Sequence, residues 1–404
     1  MSSYSDQPMN VALVHDYLLV MRGAERTFAA IADTYPGAPI LTLLYDQLGT
    51  SSRFEEHSLT TSPLQRLGIS QDGFRRLLPL YPIAAERLHP PACDIVLSSS
   101  SAFAHGVRVP PGAVHVCYCY TPFRYAWYEQ DRAVGELPAP LRPLLRRQLA
   151  RIRRWDLKAS HRVDAYIAIS ELSRKRIRRY YGRDSIVIHP PVETHRFAPA
   201  VPGDSLLVVS EIVRHKRLQV ALEAARRAKA PIRVVGSGPD HDALRAAYPE
   251  ADFLGRADDE ELARLYASAR AVIVPSMEEF GIVAVEAQAA GRPVIAANAG
   301  GAKETVIDGH TGRLARLDDV DSFVEAIRSL DTLDFEPEQA VQNAQRFSVE
   351  KFKHRLSEYV AEALYERGEP RGREDAPVEL SEPSGNEEAR VELSAWPPVR
   401  PGGS

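Results

Sequence analysis

The chain has 404 residues, 44% of them hydrophobic and 26% charged, with 50 Lys+Arg against 54 Asp+Glu for a formal net charge of −4. That apolar fraction supports sizeable cores, the length points to two domains, and the balanced charge argues against wholesale nucleic-acid binding. Three cysteines, no basic-then-apolar leader in MSSYSDQPMN and no run near the roughly 18 apolar residues of a membrane span set aside the disulfide-rich, secretory and membrane-spanning classes, with a reducing cytoplasm as the expectation.

In chain order, short runs of Val, Ile, Leu and Ala alternate with amphipathic stretches. The first half predicts strands at 11–14, 40–44, 95–98, 115–118, 165–169 and 186–188, with helices at 23–32 and 171–180. Several runs are apolar without interruption, as strands covered on both faces require. Cys117 and Cys119 share one strand face and read, like Cys93, as small core side chains. Pro190, Pro191, Pro199, Pro202 and Gly203 then break all periodicity and read as an interdomain linker. The second half predicts strands at 206–209, 232–235, 253–254, 271–274 and 294–297, and helices at 218–228, 241–247, 259–267 and 282–290. A last amphipathic helix covers 349–365, with Phe352, Leu356, Val360 and Leu364 four apart. Residues 368–404 hold six Pro, five Gly, eight acidic and four basic residues, so a disordered acidic tail is expected. Its charge equals that of the whole chain, which leaves the folded body close to neutral.

Alternation at this spacing implies right-handed βαβ crossovers and two doubly wound α/β domains, at 1–198 and 204–346, followed by a helix at 347–366 and the tail at 367–404. Facing domains of this kind place a ligand in the crevice at the carboxyl ends of their strands. The chemistry therefore belongs on loops that follow strands. The most informative one runs Pro275-Ser276-Met277-Glu278-Glu279-Phe280-Gly281, with a helix starting near Ile282 and Glu286 about one turn into it. Free N–H groups and the positive dipole end of that helix suit a phosphate or sugar hydroxyl, and Gly281 lets a ligand approach the backbone. Glu278 and Glu286 reach different parts of one extended ligand, or else are a solvated loop residue and a carboxylate favoured by the helix dipole.

The E-x7-E pattern of Glu278 and Glu286, within PSMEEFGIVAVEAQAAGRPVIA, resembles family 4 of the retaining GT-B glycosyltransferases. The resemblance continues through Gly300-Gly301-Ala302-Lys303-Glu304, Asp308-Gly309-His310-Thr311-Gly312, Val235-Gly236-Ser237-Gly238 and Phe253-Leu254-Gly255-Arg256. In the first half it takes in His15-Asp16-Tyr17, Arg22-Gly23-Ala24-Glu25 and Tyr120-Thr121-Pro122-Phe123-Arg124-Tyr125-Ala126-Trp127. It implies the GT-B fold, two Rossmann-like domains facing across a cleft, with the last helix returning to the first domain. It also implies a nucleotide-sugar donor, a saccharide or lipid-linked acceptor, and no metal or other cofactor. Glu278 would meet the transferred sugar, and Glu286 the ribose. Backbone N–H groups of Phe280, Gly281 and Ile282 would meet the sugar and distal phosphate, and Lys216 the diphosphate. The nucleobase would lie near Gly236 and Leu254, and Gly23 would approach the phosphates from the first domain. Tyr120 would face the reacting carbon, with His15, Asp16 and Arg124 towards the acceptor. The TPFRYAW segment resembles the branch of mannosyltransferases that build surface polysaccharides, which implies GDP-mannose.

Two residues depart from the family pattern. Glu211 stands where an arginine normally helps the lysine to hold the diphosphate, and Tyr120 stands where a histidine is usual. A carboxylate at 211 repels a diphosphate, so Arg214 is expected to take over if its loop turns inward. These departures motivate the competing reading, an impaired or non-catalytic module that binds a sugar nucleotide or a partner. A third reading is a sugar-nucleotide epimerase or a natural-product glycosyltransferase. The D-x-D strings at Asp240 and Asp319 open helices and read as N-caps, and neither H-E-x-x-H nor C-x-x-C occurs. Residues 141–158 carry Arg142, Arg146, Arg147, Arg151, Arg153, Arg154 and Lys158 against Asp156 alone. That helix reads as a solvated basic face over a core-packing one, or as a surface for an anionic membrane. The run from Arg174 to Arg179 reads in the same two ways.

Overall fold

The computed structural model describes residues 9–68 and 73–366; the acidic tail expected at 367–404 lies outside the described residues. Apolar runs buried on both faces assemble into a seven-stranded sheet from β1 (Val11–Leu18), β2 (Ile40–Tyr45), β3 (Leu59–Thr61), β4 (Ile95–Ser100), β5 (Val114–Cys119), β6 (Ala165–Ala168) and β7 (Ile186–Val187). Their spatial order is β3-β2-β1-β4-β5-β6-β7, all parallel. Helices α1 (Gly23–Thr34), α2 (Tyr81–Glu86), α3 (Arg124–Trp127), α4 (Gln130–Gly135), α5 (Arg142–Ser160) and α6 (Glu171–Tyr181) lie between these strands in the chain. A second, six-stranded parallel sheet has the order β10-β9-β8-β11-β12-β13. It is built from β8 (Leu206–Val209), β9 (Ile232–Val235), β10 (Asp252–Gly255), β11 (Ala271–Val274), β12 (Val294–Ala297) and β13 (Gly312–Ala315). Its helices are α7 (Leu218–Ala228), α8 (His241–Ala247), α9 (Asp259–Ser268), α10 (Ile282–Ala289), α11 (Ala302–Thr305), α12 (Val320–Arg328) and α13 (Pro337–Ala344).

Two strands escape the apolar-run criterion. β3 is a three-residue edge strand with no buried position, and β13 (GRLA) carries a glycine and an arginine among its four residues. Both are held by pairing to a neighbour rather than by an apolar run of their own. Of the two D-x-D helix starts, Asp319 caps α12 through Ser322 N–H at 3.0 Å, while the Asp240 side chain makes no cap bond to α8. After β7 the chain crosses to the second sheet through a segment whose only helical turn is Thr194–Arg196. α14 (Val349–Glu366) crosses back. Its Phe352 meets Tyr118 edge-on at 5.7 Å, and Arg355 donates to the Val187 carbonyl at 3.0 Å. One buried apolar cluster accordingly runs from Phe28 under the first sheet through Phe352 and Phe347 to Val274 and Ala284 under the second.

In both sheets the strand order reverses direction beside the first strand, between β1 and β4 and between β8 and β11. Such switch points open crevices at the carboxyl ends of the strands. No helix of the described residues is long and apolar enough to cross a membrane.

The first sheet buries polar residues within its strands. His15 Nδ1 lies 3.1 Å from Ser99 Oγ, with its ring stacked 4.5 Å from Phe28, and His115 Nε2 lies 2.9 Å from Ser98 Oγ. Burial pushes His15 down to about 4 and His115 to about 3, so both are neutral in the folded chain. A depressed histidine contributes stability that is complete above its unfolded value of 6.5 and is lost as the pH falls towards the folded value. The loss is at most about 1.4 kcal/mol per pH unit for each ring. His105 runs the other way. Burial opposes its charge, but Asp156 at 3.1 Å raises it, so that pair stabilises below 6.5 and fades above. His215 is depressed as well, while the Glu25 carboxyl, raised by burial to about 7, acts the opposite way, so the test is the His115 ring itself: between pH 7 and pH 5 the wild type is expected to lose more stability in urea than His115→Gln. An equal loss in the two proteins would refute this account.

Candidate active site

A cavity of about 710 Å³ lies between the two sheets, lined by strand ends, by the loops that follow them and by the helix starts beyond. From the first sheet come Val20 and Arg22 to Ala24 after β1, Tyr120 after β5 and Ile169 after β6. The second sheet contributes Ser210, Glu211 and Lys216 after β8, Gly236 and Ser237 after β9, Arg256 and Ala257 after β10, and Pro275, Ser276 and residues 278–283 after β11. Its size falls within the 300–1,000 Å³ that is usual for small-ligand pockets, roughly speaking.

The loop after β11 is shaped by glycine. Gly281 caps α10 at φ 91°, a backbone conformation that a side chain disfavours. Gly300 and Gly301 press against the same loop: an added Cβ would lie 2.2 Å from the Glu278 carbonyl oxygen and 2.1 Å from that of Phe280. Gly301 N–H donates to the Glu278 carbonyl at 2.8 Å, which fixes the loop from behind. The Phe280 side chain is buried against Phe347 and His189, and with Gly281 and Ile282 it lines the cavity.

Glu278 and Lys216 meet across this loop. The lysine Nζ donates to both carboxylate oxygens, at 2.8 and 2.6 Å, and the Ser276 hydroxyl donates to Glu278 at 2.6 Å. Both charged side chains keep about a quarter of their surface exposed, so a ligand reaches them. Beside them Glu279 faces Arg176 at 3.4 Å and Arg124 at 3.7 Å, both from the first domain. Burial alone would raise the Glu279 carboxyl, but Arg124, Arg176 and Lys216 together hold it below its usual range. Next to Lys216, burial and the Arg132 guanidinium push His215 down to about 4. Its Nδ1 is therefore a neutral acceptor for Arg132 Nη2 at 2.8 Å.

Several expected site residues sit elsewhere. Arg214 is exposed and outside the cavity lining. It opens the 3-10 turn Arg214–Lys216, where a spacing of two puts side chains on different sides, and Lys216 holds the inward one. Leu254, on the outer strand β10, is also outside the lining, although Gly236 is within it. Glu286 is separate from the Glu278 cavity: it accepts from Tyr266 OH at 2.8 Å, and burial raises its carboxyl.

His15 and Asp16 are buried within β1 and are structural residues rather than acceptor contacts. The Asp16 carboxylate accepts the backbone N–H groups of Ser101, Ala102, Phe103 and Ala104 at 2.6–3.0 Å. Tyr120 lines the cavity, but its hydroxyl is fully engaged, donating to the Ala24 carbonyl at 2.8 Å and accepting from Ser99 Oγ at 3.0 Å. It positions the start of α1 and does not present a free group to a reacting carbon. Arg124 bridges Glu129 and Glu279 outside the cavity lining, at the seam between the domains.

Arg22, Glu279 and Arg176 were not singled out by pattern. Arg176 looked like one member of a solvated basic run, yet its guanidinium lies 3.9 Å from the Tyr128 ring and it is 4% exposed. Its spacing from the buried Ser173 and from Tyr181 is the signal that it faces inward. Among the described residues no group of three or more His, Cys, Asp or Glu is placed to hold a metal.

Residues 21–196 match the family model described as Glycosyltransferase Family 4, and residues 203–332 the one described as Glycosyl transferases group 1. A D-inositol 3-phosphate glycosyltransferase of Streptomyces bingchenggensis is 32% identical over 248 residues, 50% of this chain and 53% of that protein. The protein of the same name from Mycolicibacterium smegmatis is 34% identical over 178 residues, 37% of this chain and 40% of that protein. The chain thus spans about half or less of the length of these curated relatives. Sucrose-phosphate synthase from Thermosynechococcus elongatus superposes with a TM-score of 0.67 at 16% identity, over 89% of this chain and 100% of that one. Anabaena HepE, solved in complex with UDP-glucose, gives 0.62 at 19% identity, over 87% and 99%. With a glycosyltransferase model on each doubly wound domain and the GT-B arrangement around one cleft, the chain belongs to the family 4 glycosyltransferases.

Proposed function

We propose that the protein is a retaining, metal-independent glycosyltransferase that moves a hexose from a nucleotide sugar to a saccharide or lipid-linked saccharide acceptor. The observation that carries this reading is the Lys216–Glu278 pair inside the interdomain cavity, with Glu278 on the loop that leads into α10. A donor diphosphate laid against that helix end meets its N–H groups, its dipole and Lys216. Charge grows on the leaving diphosphate as the sugar departs, which is where a fixed cation lowers the barrier. The bond from the anomeric carbon to the phosphate oxygen breaks while the acceptor oxygen bonds to the same face of that carbon. The acceptor proton passes to the leaving phosphate oxygen, and no protein nucleophile takes part.

The TPFRYAW resemblance supports mannose from GDP-mannose as the donor. A UDP-hexose is the second reading, favoured by the UDP-glucose bound to HepE, which shares the fold. Titration with both donors, followed by turnover with polyprenyl-linked saccharides in EDTA, tests the proposal. The expected outcome is release of nucleoside diphosphate and a product that keeps the donor's anomeric configuration. Failure of both donors to bind at millimolar concentration, or an inverted product, would overturn it.

The acceptor reading places the protein in the cytoplasm, at the inner face of a membrane. α5 buries Leu149, Ile152 and Asp156. Its other side exposes Arg142, Arg146, Arg147, Arg151, Arg154 and Lys158, with Leu144 at its start and Leu141 just before it also exposed. Arg153 is not on that face, since it donates to the Ala126 carbonyl. A basic face with exposed leucines suits anionic headgroups. Co-sedimentation with phosphatidylglycerol vesicles is expected for the wild type and should be lost when Arg146, Arg147 and Arg151 are all changed to Glu. Equal pelleting of the two proteins would remove the membrane from this picture.

A further inference from the structure

The cavity lining contains three cations, Arg22, Lys216 and Arg256, and three carboxylates, Glu211, Glu278 and Glu279. A donor diphosphate entering this space needs positive charge that the protein has not already neutralised. Lys216 is held by both oxygens of Glu278, and Arg256 donates through Nε to Ser237 Oγ at 2.9 Å. Glu211, exposed at the rim, opposes an anion outright. Arg22 and Arg256 form no ion pair among the described residues, and the carboxylate that acts on the exposed Arg22 is Glu25 of its own segment, which burial raises to about 7.

The Arg22 backbone, by contrast, is fixed. Arg22 N–H donates to Glu25 Oε2 at 3.1 Å, Thr27 Oγ1 donates to the Gly23 carbonyl at 2.9 Å, and Tyr120 OH holds the Ala24 carbonyl at 2.8 Å. The same loop touches the second domain at the candidate phosphate position. A Cβ on Gly23 would lie 3.2 Å from Ile282 Cδ1, in the first turn of α10. An exposed guanidinium outside any ion pair is thus presented from an anchored backbone across the cleft from Lys216, beside the helix end that suits phosphate.

Building on the function proposed above, we infer that Arg22 holds the donor diphosphate from the first domain and supplies the positive charge that Glu211 denies it in the second. The diphosphate is then gripped from both sides of the cleft, by Arg22 and by Lys216 with the α10 N-terminus. Donor binding in this arrangement bridges the two domains.

Isothermal titration of the full chain with UDP and GDP, each beside uridine and guanosine, tests the inference. Arg22→Gln is expected to weaken binding of the preferred diphosphate at least tenfold while leaving its nucleoside unchanged, and Arg22→Lys is expected to recover part of the loss. The dependence of diphosphate affinity on salt should also flatten in Arg22→Gln, because one charge contact is gone. Equal diphosphate affinity in wild type and Arg22→Gln would overturn the role of Arg22 and leave the proposed function standing. A parallel loss of nucleoside binding would show a merely structural effect and overturn it likewise. If the wild type binds neither diphosphate at millimolar concentration, the proposed function falls together with the inference.

Discussion

Glu278→Gln is expected to remove sugar transfer almost completely while tightening the hold on free nucleoside diphosphate. The two effects have opposite signs because Glu278 plays two parts. As the group proposed to meet the transferred sugar, its carboxylate matters most when charge develops at the anomeric carbon. Loss of one such contact commonly costs 10²-fold or more in turnover, about 3 kcal/mol. As the partner of Lys216, the same carboxylate holds the cation that a diphosphate must win. The pair is about a quarter exposed, so its strength is moderated by solvent, and its release should improve diphosphate affinity by a few-fold, about 1 kcal/mol. Turnover and diphosphate titration on the same preparation check both signs. Parallel weakening of the two would mean that Lys216 depends on Glu278 for its position, and that the pair does not compete with the ligand.

The second large effect concerns stability. Asp16→Asn is expected to lower the melting temperature by on the order of 10 °C. The Asp16 carboxylate is 2% exposed and uses both oxygens: Oδ2 accepts from Ser101 and Ala102, Oδ1 from Phe103 and Ala104. These four N–H groups belong to the segment that leaves β4, and three of the four residues are buried. An asparagine offers one oxygen and turns an NH2 group against two of the donors. Leaving buried donors unpaired costs roughly 1–3 kcal/mol each, so a loss of about 3–5 kcal/mol follows. Were Asp16 instead an acceptor contact, the variant would melt with the wild type and change only the KM for acceptor. Thermal melts beside acceptor kinetics separate the two outcomes.

Opposite roles for such similar residues mark how far a single sequence can be read. The strands at the centre of each sheet were legible because a parallel strand covered on both faces must be continuously apolar, as in Ala271–Val274 and Val294–Ala297. β3 and β13 were not, since short strands on the outside of a sheet carry no such requirement. The loop bearing Glu278 and Gly281 was legible because glycine punctuation follows a buried strand. Arg214 was misplaced for want of geometry: an arginine two residues from Lys216 is near it in sequence and still on another side of the turn. Tyr120 is turned from the reaction because its hydroxyl has two partners, in the first turn of α1 and on β4, that no spacing announces.

By itself, then, the amino-acid order determined the two doubly wound sheets, the carboxyl-end loops on which ligand chemistry had to lie, and the motif residues of the family. Those features follow from local rules, the burial of both strand faces and the glycines that a turn or a close approach demands. Only the tertiary structure decided that Glu278 closes on Lys216, 62 residues away, that Asp16 is a backbone clamp, and that Arg22 lines the cleft from the side opposite Lys216. These are pairings of charges and buried donors between distant segments. Their energy depends on distance and desolvation in the folded chain, quantities that no periodicity along the sequence encodes.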